Sequence, residues 1–337
     1  MSDQTYRAMV ITQSIDPETK KKRFDRTITQ RNMSELEDND VLIKVAYSSL
    51  NFKDGLSATG HPGVTRDFPH TPGIDAAGTV AKSTSVSFAP GDEVLVTGYD
   101  LGMETNGGYG EYIRVPAEWI VRQPAGLAAR DAMIYGTAGI TAALSLYEFE
   151  MQGMTPSTDQ EILVTGASGG VGSLAVAMLS KLGYSVVAVS GKPNAKEVLT
   201  KLGAKEVISR EEASDDSDRP MLGERWAGVV DTVGGDILAT ALKSTKYGGA
   251  VTCCGLVAGA SFSSSVFPFI IRGVRLLGID SVEMSMDKRL KIWDRIATDW
   301  KLDNLNDLTK EVTLDELDNE IDLIMQGKQI GRVLVKI

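Results

Sequence analysis

Glu161-Ile-Leu-Val-Thr-Gly-Ala-Ser-Gly-Gly-Val-Gly-Ser173, followed by Tyr184-Ser-Val-Val-Ala-Val-Ser-Gly-Lys192, is the stretch that decides the fold. Ile162 to Thr165 is a short apolar run rich in β-branched residues, the pattern of a buried strand. It leads into Gly166, Gly169, Gly170 and Gly172, then into apolar residues three and four apart (Val171, Leu174, Ala175, Met178, Leu179, Leu182), which predict a helix ending at Gly183. Val186 to Val189 supplies the next strand. Strand, glycine turn, helix and strand in this order form the βαβ unit that binds dinucleotides. Glycines let the backbone double back and let a pyrophosphate approach the main chain. The first helical N–H groups then face the phosphates with the helix dipole behind them. The spacing is G-x-x-G-x-x-G, so Ser168, Gly169, Gly170 and Val171 are the expected phosphate contacts.

The end of the second strand selects between dinucleotides. NAD sites place Asp or Glu there to accept hydrogen bonds from the ribose 2′-OH. This chain has Ser190-Gly191-Lys192, without a carboxylate to repel a phosphate. Lys192, and Arg210 after the third strand, are placed to neutralise a 2′-phosphate, the alternative for Lys192 being a solvated loop lysine. NADP(H) is the expected cofactor.

With 337 residues the chain is long enough for two domains, each with its own core. A net charge of −10 argues against nucleic acid or an anionic membrane as partner, and an anionic ligand then needs a local basic pocket. Met1-Ser-Asp-Gln-Thr-Tyr-Arg7 carries no apolar signal region, and no apolar run approaches the ~20 residues of a membrane span. The two cysteines, Cys253 and Cys254, are adjacent, which excludes a disulfide framework and fits a reducing, cytoplasmic setting.

Residues 1–128 read as β-rich. Arg7–Gln13 and Phe24–Thr29 flank the charged turn Asp16-Pro-Glu-Thr-Lys-Lys-Lys-Arg23, a hairpin whose basic run is either a solvated loop or a phosphate-gripping patch. Val41–Ser48, Ala76–Val80, Glu93–Thr97 and Gly107–Val115 are further strands, separated by turn signals at Pro72-Gly73 and Pro90-Gly91. From Ala129 helices and strands alternate. Asp131–Phe149 is a helix, and Glu206–Ser209, Gly228–Asp231, Ala250–Gly255 and Val274–Asp280 bring the sheet to six strands. Arg289–Trp300 and Leu314–Met325 are helices, and Arg332–Ile337 is a strand suited to rejoin the first domain. The class is α/β.

With these motifs located, the chain resembles the zinc-free medium-chain dehydrogenase/reductases, in the acrylyl-CoA reductase and quinone-oxidoreductase-like branch. The matching stretches are Ser48-Ser-Leu-Asn-Phe-Lys-Asp54, Pro72-Gly-Ile-Asp-Ala-Ala-Gly-Thr-Val80, Gly136-Thr-Ala-Gly139, Val164–Gly172, Val187–Lys192, Trp226–Gly234, Tyr247-Gly-Gly249, Phe267-Pro-Phe-Ile270 and Gly278-Ile-Asp-Ser281, in family order along essentially the whole chain. The resemblance implies a GroES-like β-barrel substrate domain (1–128, completed by 300–337) and a Rossmann NADP(H)-binding domain with a doubly wound parallel sheet (129–299), the active site lying in the cleft. It also implies that Phe52, Thr137, Gly255, Leu256, Ile279, Ser281 and Arg332 contact the cofactor. Related reductases dimerise through the Rossmann domain, and the edge-strand candidate Val274–Asp280 suits a homodimer.

Zinc-containing relatives place Cys and His ligands where this chain has Asn51 and Ile74. Two cysteines and the loop histidines His61 and His70 do not assemble a tetrahedral N/S site, so no metal is expected. Without a Lewis acid, reduction of an activated C=C suits the site better than alcohol oxidation: hydride adds to the β-carbon and donors stabilise the oxyanion that develops. Asn51 and Asp54 are the candidate catalytic residues. Asn51 is an oxyanion donor or a turn-stabilising amide, and Asp54 an acid–base group or a loop-ordering one. Close relatives carry Tyr where this chain has Phe52, so a ring hydroxyl does not supply the proton here. The implied reaction is NADPH-dependent reduction of acrylyl-CoA to propanoyl-CoA. The alternatives are a quinone or enone oxidoreductase, or a protein that keeps the cofactor site without turnover.

Overall fold

The computed structural model describes residues 4–157 and 160–337, so the first three residues of the N-terminal stretch read above lie outside them. Two compact units form. The first runs to Thr137 and adds Val282–Leu290 and Thr309–Ile337; the second holds Ala138–Ser281 and Lys291–Leu308.

The first unit opens with the expected hairpin, β1 (Thr5–Ile15) and β2 (Lys22–Asn32), paired antiparallel along its length. Next come β3 (Val41–Leu50), the short α1 (Phe52–Ala58), β4 (Asp75–Ser83), β5 (Glu93–Thr97), β6 (Tyr112–Val115) and β7 (Ile120–Arg122). The strand expected over Gly107–Val115 is extended only across β6. Its glycines instead cross another backbone: a Cβ on Gly108 would collide with the Asp75 carbonyl oxygen, and one on Gly107 with that of Gly73.

In the second stretch α2 (Ala129–Met151) is interrupted at Gly136, whose φ of 50° and ψ of −154° are not helical. The first unit's long segment ends beside this break, at Thr137. β8 (Glu161–Val164), α3 (Gly170–Lys181), β9 (Ser185–Val189), α4 (Ala195–Lys201), β10 (Glu206–Ile208), β11 (Trp226–Asp231), α5 (Gly235–Ser244), β12 (Thr245–Cys253), α6 (Phe267–Arg272) and β13 (Arg275–Gly278) follow. The six strands are parallel in the order β10-β9-β8-β11-β12-β13, so the direction of winding reverses beside β8. Ligands of doubly wound sheets bind at that reversal, beyond the C-terminal strand ends. Leu163, Val187, Val229 and Val251, from four neighbouring strands, are at most 1% exposed. Fully burying such a side chain stabilises by about 1.5–3 kcal/mol. The strand expected over Val274–Asp280 is extended only over β13, which forms one edge of the sheet.

α7 (Met286–Ala297) precedes β14 (Thr309–Thr313), α8 (Leu317–Met325) and β15 (Arg332–Lys336). As anticipated, the last strand rejoins the first unit: β15 pairs antiparallel with β3 and parallel with β14, in a sheet of order β14-β15-β3-β4-β5-β7 with β6 on β3. Among the described residues no helix is long and apolar enough to cross a membrane.

Candidate active site

The glycine turn lies where β8 meets α3. Gly166 takes a left-handed φ of 57° and its carbonyl accepts the Gly169 N–H at 2.9 Å. A Cβ on Gly172 would collide with that same carbonyl, so the third glycine lets α3 start this close to the turn. Gly169 caps the helix with no side-chain bond and no acidic residue follows in the first turn, which leaves the amide end suited to an anion. Neighbouring strands hold the turn in place. Thr165 Oγ1 donates to Asp231 Oδ1 at 2.7 Å, Asp231 Oδ2 accepts the Gly234 N–H at 2.9 Å, and Thr232 Oγ1 donates to the Thr165 carbonyl at 2.9 Å.

The residues expected to hold a 2′-phosphate lie close together. The Ser168 and Ser190 hydroxyls lie 3.0 Å apart, and the Lys192 N–H donates to Ser190 Oγ at 3.3 Å. Arg210 crosses directly over Gly191, where a Cβ would stand 2.9 Å from Nε. Burial, then the nearby Arg210 guanidinium, holds the Lys192 ammonium below its usual pKa. Two cations held together against burial favour binding of an anion.

A pocket of about 540 Å³ opens at the ends of β12 and β13, lined by Cys253, Cys254, Gly255, Leu256, Ala260, Gly278, Ile279 and Asp280. Gly255, Leu256 and Ile279, three of the expected cofactor contacts, share this lining, and Ser281 is tied to α2 by the Thr141 hydroxyl at 2.8 Å. Burial and the Asp231 carboxylate push both thiols upward, so they stay protonated at neutral pH.

The first unit holds a buried polar cluster. Asp75 is fully buried at the start of β4 and accepts four hydrogen bonds: from Ser49 Oγ at 2.5 Å, Asn51 Nδ2 at 2.7 Å, the Thr137 N–H and Thr137 Oγ1 at 2.6 Å. Arg332, 2% exposed, donates from Nε to the Ile134 carbonyl and from Nη1 to the Leu50 carbonyl and Asn51 Oδ1. Its Nη2 is a buried donor without an acceptor, beside the missing Cβ of Gly136.

This geometry reassigns the two candidate catalytic groups. The Asn51 amide is engaged on both ends, by Ser49 and Asp75 through nitrogen and by Arg332 through oxygen, which leaves it nothing to offer an oxyanion. Asp54 is also fully buried and caps α1: Oδ2 accepts the Asn51 N–H and Oδ1 the Ile74 N–H, both at 2.8 Å. Both residues serve here as positioning groups. Thr137 and Arg332, expected at the cofactor, are bound into the Asp75 cluster, and Phe52 stands half-buried at the start of α1.

Burial, then the Asp75 charge, pushes the Asp54 carboxyl up to about 7. A folded-state pKa raised above the unfolded value gives stability that is present below the unfolded pKa near 3.8 and lost as pH rises through about 7. Raising the pH from 5 to 8 is therefore expected to cost wild type on the order of 2 kcal/mol relative to Asp54→Asn. Paired denaturant titrations would measure it, and a pH-independent difference would refute it.

At the positions of zinc ligands, Asn51 is committed as described and Ile74 is an apolar core residue. His70 is buried, its backbone paired with Ile11, while His61 is exposed. Among the described residues no group of three or more His, Cys, Asp or Glu is arranged to hold a metal ion.

Residues 37–125 match the alcohol dehydrogenase GroES-like domain, and 170–297 the zinc-binding dehydrogenase domain. The chain is 42% identical to the acrylyl-CoA reductase AcuI of Ruegeria pomeroyi, over 96% of this chain and 98% of that one. It is 47% identical to YhfP of Bacillus subtilis, provisionally named a quinone oxidoreductase, over 90% and 92%; a crystal structure of YhfP with NAD bound superposes with a TM-score of 0.94, covering 99% of this chain and 100% of that one. The yhdH oxidoreductase of Salmonella enterica in complex with NADP, 42% identical, superposes with a TM-score of 0.93 over 98% and 99%. Carrying both domain types, sharing 42–47% identity with AcuI and YhfP over 90–96% of its length, and with non-ligating residues at the zinc positions, this chain belongs to the zinc-free medium-chain dehydrogenase/reductases, in the branch of AcuI and YhfP.

Proposed function

We propose that the chain is an NADPH-dependent reductase of activated C=C bonds that converts acrylyl-CoA to propanoyl-CoA. The cradle of Ser168, Ser190, Lys192 and Arg210, with no carboxylate at the end of β9, carries the cofactor assignment. NAD in the YhfP crystal shows that the fold also accepts the unphosphorylated dinucleotide, so the preference rests on this cradle. Likeness to AcuI supports the substrate class. Likeness to YhfP favours a second reading, quinone or enone reduction.

Bound NADPH would supply the hydride. The α3 amides and the Lys192–Arg210 pair hold and orient the nucleotide, and the glycines admit its pyrophosphate to the backbone. Asp75, through Asn51 and Thr137, fixes the start of α1 and the break in α2. NADPH consumption with acrylyl-CoA, crotonyl-CoA and a benzoquinone, side by side, tests the assignment: fastest turnover of acrylyl-CoA is expected, and turnover of the quinone alone would overturn it. Because Asn51 and Ile74 stand at the zinc positions, dialysis against a chelator is expected to leave the rate unchanged. Loss of activity restored by zinc would contradict this.

We further propose a homodimer through the β13 edge. Leu256, Val257, Val266, Phe267, Ile270 and Ile271 are exposed large hydrophobics in the segment leading to that strand, the kind of surface and edge that a second subunit would cover. Of the two arginines that would blunt the edge, Arg272 turns inward to the Leu222, Lys243 and Thr245 carbonyls, and Arg275, exposed on β13, donates to the Gly248 carbonyl at 3.0 Å. Sedimentation at micromolar concentration should give twice 36.2 kDa, or 72.4 kDa. A mass of one chain would sink the proposal.

A further inference from the structure

Lys20-Lys-Lys-Arg23 is the one run of four consecutive basic residues in a sequence of net charge −10. An acidic protein repels polyanions at long range and needs local cations wherever it binds one. NADPH finds such cations at Lys192 and Arg210. An acyl-CoA brings a second set of phosphates, and a quinone brings none. We propose that the hairpin end Lys20–Arg23 binds the phosphates of the coenzyme A moiety; this rests on the acyl-CoA reading above and locates the part of the substrate farthest from the reacting carbons.

The turn is built to hold these lysines outward. Asp16 Oδ1 accepts the Glu18 and Thr19 N–H groups and the Thr19 hydroxyl, and Lys20 takes a left-handed φ of 57°. The nearest carboxylate is thereby tied to the loop's own amides, while Lys20, Lys21 and Lys22 are exposed. Phe24 fixes what the hairpin end faces. Its ring fills the space over Gly60, where a Cβ would collide with it, and stands 5.0 Å from the Phe68 ring. Lys22, two residues earlier on the same strand, shares that face. Phe24 therefore seats the end of the hairpin on the Gly60–Phe68 segment that follows α1, with Lys22 on the same strand face and the Arg66 side chain of that segment 77% exposed.

Charges of the other sign are largely matched. Arg23 pairs with Asp25 at 2.7 Å and Arg66 with Glu104 at 3.8 Å, which leaves Lys20, Lys21 and Lys22 to carry the exposed positive charge of the hairpin end. At about 1.5 Å per residue α1 is roughly 10 Å long. The helix leads from the Asn51 end to the Gly60–Phe68 segment on which Phe24 rests, and an extended pantetheine arm is long enough to cover that length.

The triple substitution Lys20→Ser, Lys21→Ser, Lys22→Ser, all in an exposed turn, tests the proposal. The ratio of kcat/KM for acryloyl-CoA to that for acryloyl-N-acetylcysteamine, a thioester without phosphates, is expected to fall at least about tenfold at low ionic strength. Adding salt to about 0.2 M should shrink the difference between variant and wild type. A ratio within roughly twofold of wild type would overturn the site. Titration of coenzyme A itself into the NADP⁺-loaded protein decides the site without turnover: binding by wild type that weakens in the variant supports it, and no binding by wild type, or equal binding, refutes it. Absence of acryloyl-CoA reduction by wild type would instead count against the functional reading, so the two failures are distinguishable.

Discussion

Lys192→Asp is expected to weaken NADPH binding at least tenfold and to erase or reverse the preference over NADH. A hydrogen bond to a charged group contributes about 1.5–3 kcal/mol, or roughly 10–150-fold in affinity. The substitution also places a carboxylate where a 2′-phosphate would lie, adding repulsion to the lost attraction. Arg210 remains across Gly191, so the loss should be partial, and the double variant with Arg210→Ser should be weaker still. For NADH the new carboxylate can accept from the free ribose 2′-OH, so its affinity should hold or improve. Titrating both cofactors against the apo protein measures the effect. An unchanged ratio of dissociation constants would remove the basis for the NADP(H) assignment.

The second large effect is expected in stability. Asp75→Ala removes the acceptor shared by Ser49, Asn51 and the Thr137 N–H and hydroxyl, all in the interior of the first unit. It also removes the larger of the two carboxylate charges, Asp75 and Asp54, that offset the buried Arg332 guanidinium. Unsatisfied buried donors cost about 1–3 kcal/mol each, and removing one member of a buried charge group about 3–5 kcal/mol. These overlap, so a loss of about 3–5 kcal/mol is expected, enough to leave a marginally stable unit partly unfolded. Asp75→Asn keeps one oxygen acceptor and should lose less. Equal thermal midpoints for wild type and Asp75→Ala would mean that the cluster does not hold this unit together.

Much of the second unit was legible because its sequence signals are local. The glycine turn, the apolar strands and the helix periodicity each lie within a few residues, and the predicted strand sequence is the one observed. The first unit was less legible because its decisive contacts are remote in sequence. Asn51 reads as a catalytic amide until Ser49, Asp75 and Arg332 are seen to engage it, and Arg332 arrives from the last strand. Two signals were nonetheless present. Asn51-Phe-Lys-Asp54 has the spacing of a capping box, which predicts a helix start with Asp54 turned to the backbone. Ile74-Asp-Ala-Ala77 puts a carboxylate into an apolar strand, and such a group is kept only where donors converge on it. Gly107–Val115 misled in the other direction, since its alternation suggests a pleat while its glycines serve a backbone crossing.

The tie from Thr165 through Asp231 to Gly234 has a practical bearing on engineering. The phosphate turn belongs to β8 and α3, yet its shape is set by the end of β11, some sixty residues further along the chain. Exchanging only the segment from Glu161 to Lys192 with that of a relative would seat a foreign turn on a native anchor. A transplant meant to carry cofactor preference intact should therefore take residues 161–234 as one cassette, including the Thr232 hydroxyl that closes onto Thr165. A chimera with the shorter exchange should show poorer affinity for both dinucleotides, even where every residue facing the 2′-position has been copied.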